Sequence, residues 1–462
     1  MRSVVAALVL SSLWSASAVS TPSAPSADTA TQARSILEKS IATPTVAGRG
    51  EVPGLARWLA AHLRNGGYSE HEIDVIPVGE TAALLARYPG RDRTLPPLVL
   101  SVHMDVVEAK REDWVRDPFQ LTEAEGFLFG RGVADNKFDL AMLVALLADL
   151  RRSGYVPARD IVLALSGDEE TTMASTRVLA ERLRGAWLVI NGDLGANPIG
   201  PDGKPQAAIV QAGEKTYATY RLTVTNPGGH SSMPRPDNAI YQLSAALGRI
   251  GAHRFPVAMN EISKAYLKGV AARASPEMRA ALERLAAGAT DASTLATVTS
   301  NTEYNAILRT TCVATMLEGG HAENALPQRA NATVNCRILP GTDPVQVMQE
   351  LQRVAAEPAL QIEPTAEITA SPASPLREDV FAAIRKAVDL RYPGLPLLPY
   401  MSAGATDNKH FRAVGIDSYC VGSYYMRPED DFSHGLNERV PADAIPGALA
   451  FWDALLRELT RV

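Results

Sequence analysis

Apolar and polar positions follow two different patterns along the chain, and the change between them marks its organisation. From about residue 50 to 213, short continuous apolar runs alternate with longer stretches whose apolar residues recur every three or four positions. "VPGLARWLAAHLRNGG" and "KFDLAMLVALLADLRRSG" have helical spacing and end at glycine. "LPPLVLSVHM", "RDIVLALSGDEE" and "AWLVINGD" read as buried strands. This alternation predicts an α/β layer with a mainly parallel central sheet. From 214 to 370 the strands alternate apolar and polar residues instead. "KTYATYRLTVTNPGG", "DNAIYQLSAALGRI", "AILRTTCVATMLEGG", "QRANATVNCRILPG", "DPVQVMQELQRVAA" and "LQIEPTAEI" follow in the order β-α-β-β-α-β. Residues 256–305, Ala-rich and helical in pattern, read as an insertion inside this smaller α+β unit. The first pattern resumes over 371–462. Residues 46–213 and 371–462 therefore form one larger α/β domain that the smaller one interrupts, and 462 residues suit two cores better than one.

The first 18 residues, "MRSVVAALVLSSLWSASA", combine one Arg, a short apolar stretch and an A-x-A ending, as in a secretory signal peptide. The polar "VSTPSAPSADTATQ" then predicts a flexible mature N-terminus over 19–45 and an exported, periplasmic or secreted protein. No later apolar run is long enough and charge-free enough to span a bilayer. A net charge of −6 without a long basic run argues against nucleic acid as a partner. The three cysteines, Cys312, Cys336 and Cys420, leave at least one thiol unpaired within a chain. Cys312 and Cys336 fall on neighbouring predicted strands, where a disulfide and two buried thiols are both open.

The chain has no G-x-S-x-G, H-E-x-x-H, Walker A or complete G-x-G-x-x-G motif. Its candidate chemistry lies at predicted strand ends, where open α/β sheets bind ligands. His103 and Asp105 interrupt the apolar run "LVLSVHMDVVEA". Asp135 stands before a helix in "GRGVADNK", Glu169 and Glu170 follow a strand in "SGDEE", Asp193 closes "INGD", and "FSHGLNE" adds His434. Each has an ordinary structural reading, as an N-cap, a solvated helix start or a turn residue. Together they would bring several carboxylates to one place, which is costly without a cation. Divalent metals resolve this, and mixed imidazole and carboxylate ligands suit zinc.

In order, "SVHMDVV", "GRGVADNK", "SGDEE", "NPGGHSSMP", "GATDNK" and "FSHGLNE" resemble the motifs of the zinc aminoacylase/carboxypeptidase family, which includes carboxypeptidase S, carnosinase-type dipeptidases, aminoacylases and succinyl-diaminopimelate desuccinylase. The resemblance implies a di-zinc catalytic domain interrupted by a ferredoxin-like lid, with cobalt or manganese as substitutes for zinc. It implies that His103, Asp135 and Asp193 hold one metal, and that Asp135, Glu170 and His434 hold the other. The Asp135–Asn136 bond would be a cis peptide. Asp105 would orient His103, and Glu169 would be the general base for a metal-activated water. The lid would supply His230 to the oxyanion, leaving room for action across a homodimer interface, and Arg337 to a substrate carboxylate. Asn324 would lie near the scissile amide, and Gly404 and Thr406 would line the carboxylate end.

This chain departs from the family's pattern in places. Asp193 stands where Glu is frequent, as in the carnosinase and carboxypeptidase S branches. "DNKHF" replaces the commoner sequence around the carboxylate pocket, and "SGDEETTMAST" lacks the glycines that usually follow the glutamates. The implied activity is hydrolysis of an amide bond in small peptides or N-acyl amino acids with a free carboxylate. The alternatives are a carnosinase-type dipeptidase and, more remotely, an inactive binding protein.

Overall fold

The computed structural model describes residues 26–461, so the expected signal peptide at 1–18 lies outside the described residues. Part of the expected flexible N-terminus is instead a helix, Ala27–Ile41, started by the Ser26 side chain accepting from the Thr29 amide. Ala33, Ile36, Leu37 and Ile41 recur at helical spacing and are fully buried, against helix Phe138–Arg152. The polar composition of the lead-in concealed this amphipathic stripe.

Strands Leu98–His103, Ile161–Ser166 and Leu188–Asn191 are buried at every position, because helices cover both faces of their sheet. The eight-stranded sheet runs in the order Ile73–Val78, Thr81–Tyr88, Ile161–Ser166, Leu98–His103, Leu188–Asn191, Ser418–Val421, Ala208–Glu214, Leu397–Ser402. Its four central strands are parallel. The pairs at the Ile73 edge, and the pair between Ser418–Val421 and Ala208–Glu214, are antiparallel. The sheet is therefore mixed, and the parallel reading holds for its centre.

The second sheet orders Thr311–Gly319, Arg329–Ile338, Thr216–Thr225 and Gln361–Pro364, antiparallel throughout. Buried and open positions alternate along Thr216–Thr225, so one face is packed. Helices Ala239–Ala252 and Pro344–Ala355 cover that face and complete a separate apolar core. Cys312 and Cys336 are direct cross-strand partners and form a disulfide, while Cys420 is a buried free thiol.

The helical insertion does not belong to this second core. Ile262, Leu267, Leu282, Leu285, Val298 and Ile307, on its four helices, join the core of the larger sheet. Helix Glu261–Ala271 packs against the edge strand Leu397–Ser402. Contact is close at Gly269, where a Cβ would stand 2.2 Å from Leu398 Cδ2. Among the described residues, no helix is long and apolar enough to cross a membrane.

Asp139, in the first turn of helix Phe138–Arg152, is buried, and its Oδ1 accepts from Ser423 Oγ and Trp452 Nε1, both at 2.6 Å. Burial pushes its pKa up to about 7, with the two hydrogen bonds opposing. The folded state then binds the proton more tightly than the unfolded chain. Stability is greatest below the ordinary carboxylate pKa and falls as pH rises towards 7. Asp139→Asn keeps an acceptor and removes the ionisation cost, at about 1.4 kcal/mol per pKa unit. The variant's Tm is expected to gain on that of the native protein between pH 5 and pH 8. An equal pH response in the two proteins would show that Asp139 does not carry this cost.

Candidate metal centre

The parallel strands bring their carboxyl ends to one edge of the sheet. His103 is the last residue of its strand, Glu169 and Glu170 follow the strand that ends at Ser166, and Asp193 follows the one that ends at Asn191. Asp135 lies between Gly132 and helix Phe138–Arg152, and the Asp135–Asn136 peptide is cis. His434 comes from the loop before the C-terminal helix, at φ +62°.

Asp135 stands between the two imidazoles. Its Oδ1 is 2.9 Å from His103 Nε2 and its Oδ2 is 3.1 Å from His434 Nε2. His434 Nε2 is also 2.9 Å from Glu170 Oε1, and Asp193 Oδ1 is 3.7 Å from His103 Nε2. Ligand atoms of His103, Asp135 and Glu170 lie within 4.8 Å of one another. An imidazole lone pair facing a carboxylate oxygen is repulsive unless a proton or a cation lies between them. The titration behaviour has the same origin. Burial opposes charge on His103, yet Asp105, Asp135 and Asp193 outweigh it and hold its pKa well above the ordinary range. Hydrogen bonds to Asp135 and Glu170 raise His434 to about 10. Burial, then the Asp135 charge, pushes Asp193 up to about 7. A cluster that draws positive charge onto both imidazoles, with donors of types that zinc accepts, fits a divalent metal centre.

Glu169 differs from its neighbour. Its side chain is buried, and Oε1 has no hydrogen-bond partner. Burial raises its pKa, reinforced by Asp193, Asp407 and Glu170 against the opposing pull of His103.

The supporting contacts differ in detail from the sequence reading. Asp105 lies beyond the strand end. Its backbone carbonyl accepts from His103 Nδ1 at 3.0 Å, and its carboxylate oxygen is at 3.6 Å. That carboxylate instead accepts the amides of Glu169 and Glu170, both at 3.0 Å, and fixes the turn that carries them. Asn136 accepts from the His103 amide at 3.2 Å and reaches Asp193 Oδ1 at 3.4 Å.

Glu438 is a supporting residue to which the sequence reading gave no role. Buried, it accepts the amides of Gly132, Ala134 and Asp135 at 2.8–3.0 Å and pairs with Arg131 at 2.6 Å. Arg131 also donates to the His434 and Gly435 carbonyls. One buried ion pair thus ties the Asp135 loop to the His434 loop. The signal was Glu438 within "SHGLNE", but its partner is 307 residues away in sequence.

Among the described residues, no hydrogen bond or ion pair joins the remaining candidates to the cluster. His230 is exposed on a two-residue strand paired with Ala325–Leu326. Among the described residues, no hydrogen bond or ion pair links it to the carboxylates. The Ser232 amide donates to His230 Nδ1 at 3.2 Å, so the ring proton sits on Nε2. The Asn324 carbonyl accepts from the amide of Ser231, the residue after His230. Arg337 packs over the Tyr217 ring at 4.6 Å and donates to Ala403 O at 3.4 Å. Gly404 is exposed, with its amide on Ser402 Oγ. Thr406 is buried, and both its amide and its hydroxyl donate to Glu214 Oε2. It is a structural tie, not a free donor for substrate.

A model of peptidase family M20/M25/M40 matches residues 99–458. An N-fatty-acyl-amino acid synthase/hydrolase of Danio rerio is 28% identical over 379 residues, covering 80% of this chain and 73% of its own length. A probable carboxypeptidase S-like 2 of Dictyostelium discoideum is 26% identical over 379 residues, covering 78% of this chain and 70% of its own length. Among solved structures, an M20 family metallo-carboxypeptidase from Sulfolobus solfataricus matches with a TM-score of 0.70 at 17% identity. That match covers 93% of this chain and 100% of the other, and is a likeness of fold.

Proposed function

Because the chain belongs to peptidase family M20/M25/M40, we propose that its carboxylate–imidazole cluster is a two-zinc centre that hydrolyses an amide bond in small peptides or N-acyl amino acids with a free carboxylate. The observation that carries this reading is Asp135 presenting one oxygen to each imidazole, with the unpartnered carboxyl of Glu169 in the same cluster. His103, Asp135 and Asp193 would hold one ion, and Asp135, Glu170 and His434 the other. When bound, the ions supply Lewis acidity towards a water and the amide carbonyl. Glu169 takes the proton of the attacking water on its carboxylate and returns it to the leaving nitrogen. Asp105 holds the Glu169 and Glu170 amides and so keeps the base in place. His230 donates its Nε2 proton to the oxyanion, and Arg337 grips the carboxylate.

Residues 214–370, apart from the helical insertion, act as a ferredoxin-like lid. Its second core and its separate sheet support independent movement. Homodimerisation through the lid is supported by the edge strand Thr311–Gly319, where Val313, Met316 and Leu317 are more than half exposed. Export is supported by the leader-like first 18 residues and by the disulfide.

The testing experiment is a product screen with zinc-loaded protein on dipeptides, longer peptides and N-acyl amino acids, each beside its C-terminal amide. The expected result is release of a free amine from the acids and much less from the amides. No amine from any of them would overturn the reading.

A further inference from the structure

Two cations meet beside the loop Ser402–Thr406 without a counter-ion. Lys215 has no exposed surface, and its Nζ has one partner, Thr311 Oγ1 at 3.2 Å. Its backbone amide donates to Ser402 O. Arg337 donates from Nε to Asn335 Oδ1 at 3.3 Å and from Nη1 to Ala403 O at 3.4 Å. Thr311 and Tyr217 flank Arg337 as its cross-strand partners. Lys215, one residue before the strand that carries Tyr217, therefore reaches the immediate neighbour of Arg337 through its side chain. Neither cation makes an ion pair among the described residues. The adjacent carboxylate, Glu214, is committed elsewhere: Oε1 to Arg412 at 3.2 Å, and Oε2 to Thr406.

An ammonium has three donors and a guanidinium five. One of the three and two of the five are used, and both partner sets are uncharged. Burial, then the Arg337 charge, pushes the Lys215 pKa down to about 7. Two desolvated like charges raise each other's cost, and an anion seated at them relieves it. The loop they share contains Gly404, placed by the sequence motif at the carboxylate end of the site.

We propose that Lys215 is a specificity-determining residue that sets, behind Arg337, the positive field for the substrate's terminal carboxylate. The proposal rests on the reading that the substrate carries a free carboxylate. Lys215 acts as a positioning residue: it holds charge at the back of the subsite, and Arg337 makes the contact. It predicts discrimination between acid and amide, and not turnover as such.

The test compares N-dodecanoyl-L-leucine with its C-terminal amide. Binding to the zinc-loaded Glu169→Gln protein is measured by calorimetry, alone and with Lys215→Met, Lys215→Gln or Lys215→Arg added. With Lys215 present, the acid should bind more tightly than the amide. Lys215→Met and Lys215→Gln should weaken acid binding roughly tenfold to a hundredfold, the range for losing a partly buried charge that acts through space, and leave the amide nearly unchanged. Lys215→Arg should restore the preference. Both neutral variants remove an unpaired buried charge, so folding is favoured. An equal loss on acid and amide would mean a structural role and would overturn the proposal. So would an unchanged preference in the neutral variants. A protein with Lys215 in place that shows no preference for the acid would instead bring down the free-carboxylate reading itself.

Discussion

Glu169→Gln is expected to keep full metal content and a native melting profile while turnover falls by about two to four orders of magnitude. Glutamine matches glutamate in shape but cannot take a proton from water. The two neighbouring glutamates are distinguished by their contacts. Glu170 Oε1 is 2.9 Å from His434 Nε2, within the ligand cluster, whereas Glu169 Oε1 is buried and unpartnered. Glu170→Gln should accordingly lose metal first and activity as a consequence. Elemental analysis beside an amidase assay separates the two variants. Full metal and a near-normal rate in Glu169→Gln would remove it from the mechanism, and equal metal occupancy in both variants would mean that the roles are misassigned.

His230→Ala should cost kcat about a hundredfold to a thousandfold, with little change in KM, because an oxyanion donor acts mostly in the transition state. The bond from the Ser232 amide to Nδ1 leaves the proton on Nε2, the tautomer that can donate outward. His230 lies on the second sheet's side of the molecule, and the carboxylates lie on the first. In the proposed reading, His230 reaches the carboxylates by closure of the lid or from a second chain. A phosphinate that mimics the tetrahedral state should bind the variant more weakly in proportion to the lost kcat, with metal content unchanged. Normal binding and a near-native rate would return His230 to a loop role, held by Ser232.

His103, Glu170 and Asp193 were legible because they lie at strand ends, which show in sequence as the place where an apolar run stops, whereas Asp135 and His434 lie in loops and were found through their motifs. The split β-α-β-β-α-β order was legible because its two central strands, Thr216–Thr225 and Arg329–Ile338, alternate buried and open positions. The N-terminal helix was not, because its apolar stripe, Ala33 to Ile41, begins inside a Ser-, Thr- and Ala-rich stretch. Helical spacing over 256–305 said that helices form there but not which core they face, and Leu267 and Leu282 face the larger one. Thr406 matched a motif, yet Glu214, distant in sequence, takes up both its donors. Glu438 and Arg131 show the same limit. A buried ion pair between remote loops leaves no periodic trace in either segment.

The central claim is that catalysis by this chain needs metal held at the His103, Asp135, Glu170, Asp193 and His434 cluster. The most direct measurement is zinc titration of chelator-stripped protein, with hydrolysis of a substrate from the product screen and bound metal followed together. The account predicts no hydrolysis without metal and a rate that rises to its plateau at two zinc ions per chain. Undiminished hydrolysis by protein shown by elemental analysis to be metal-free would contradict it.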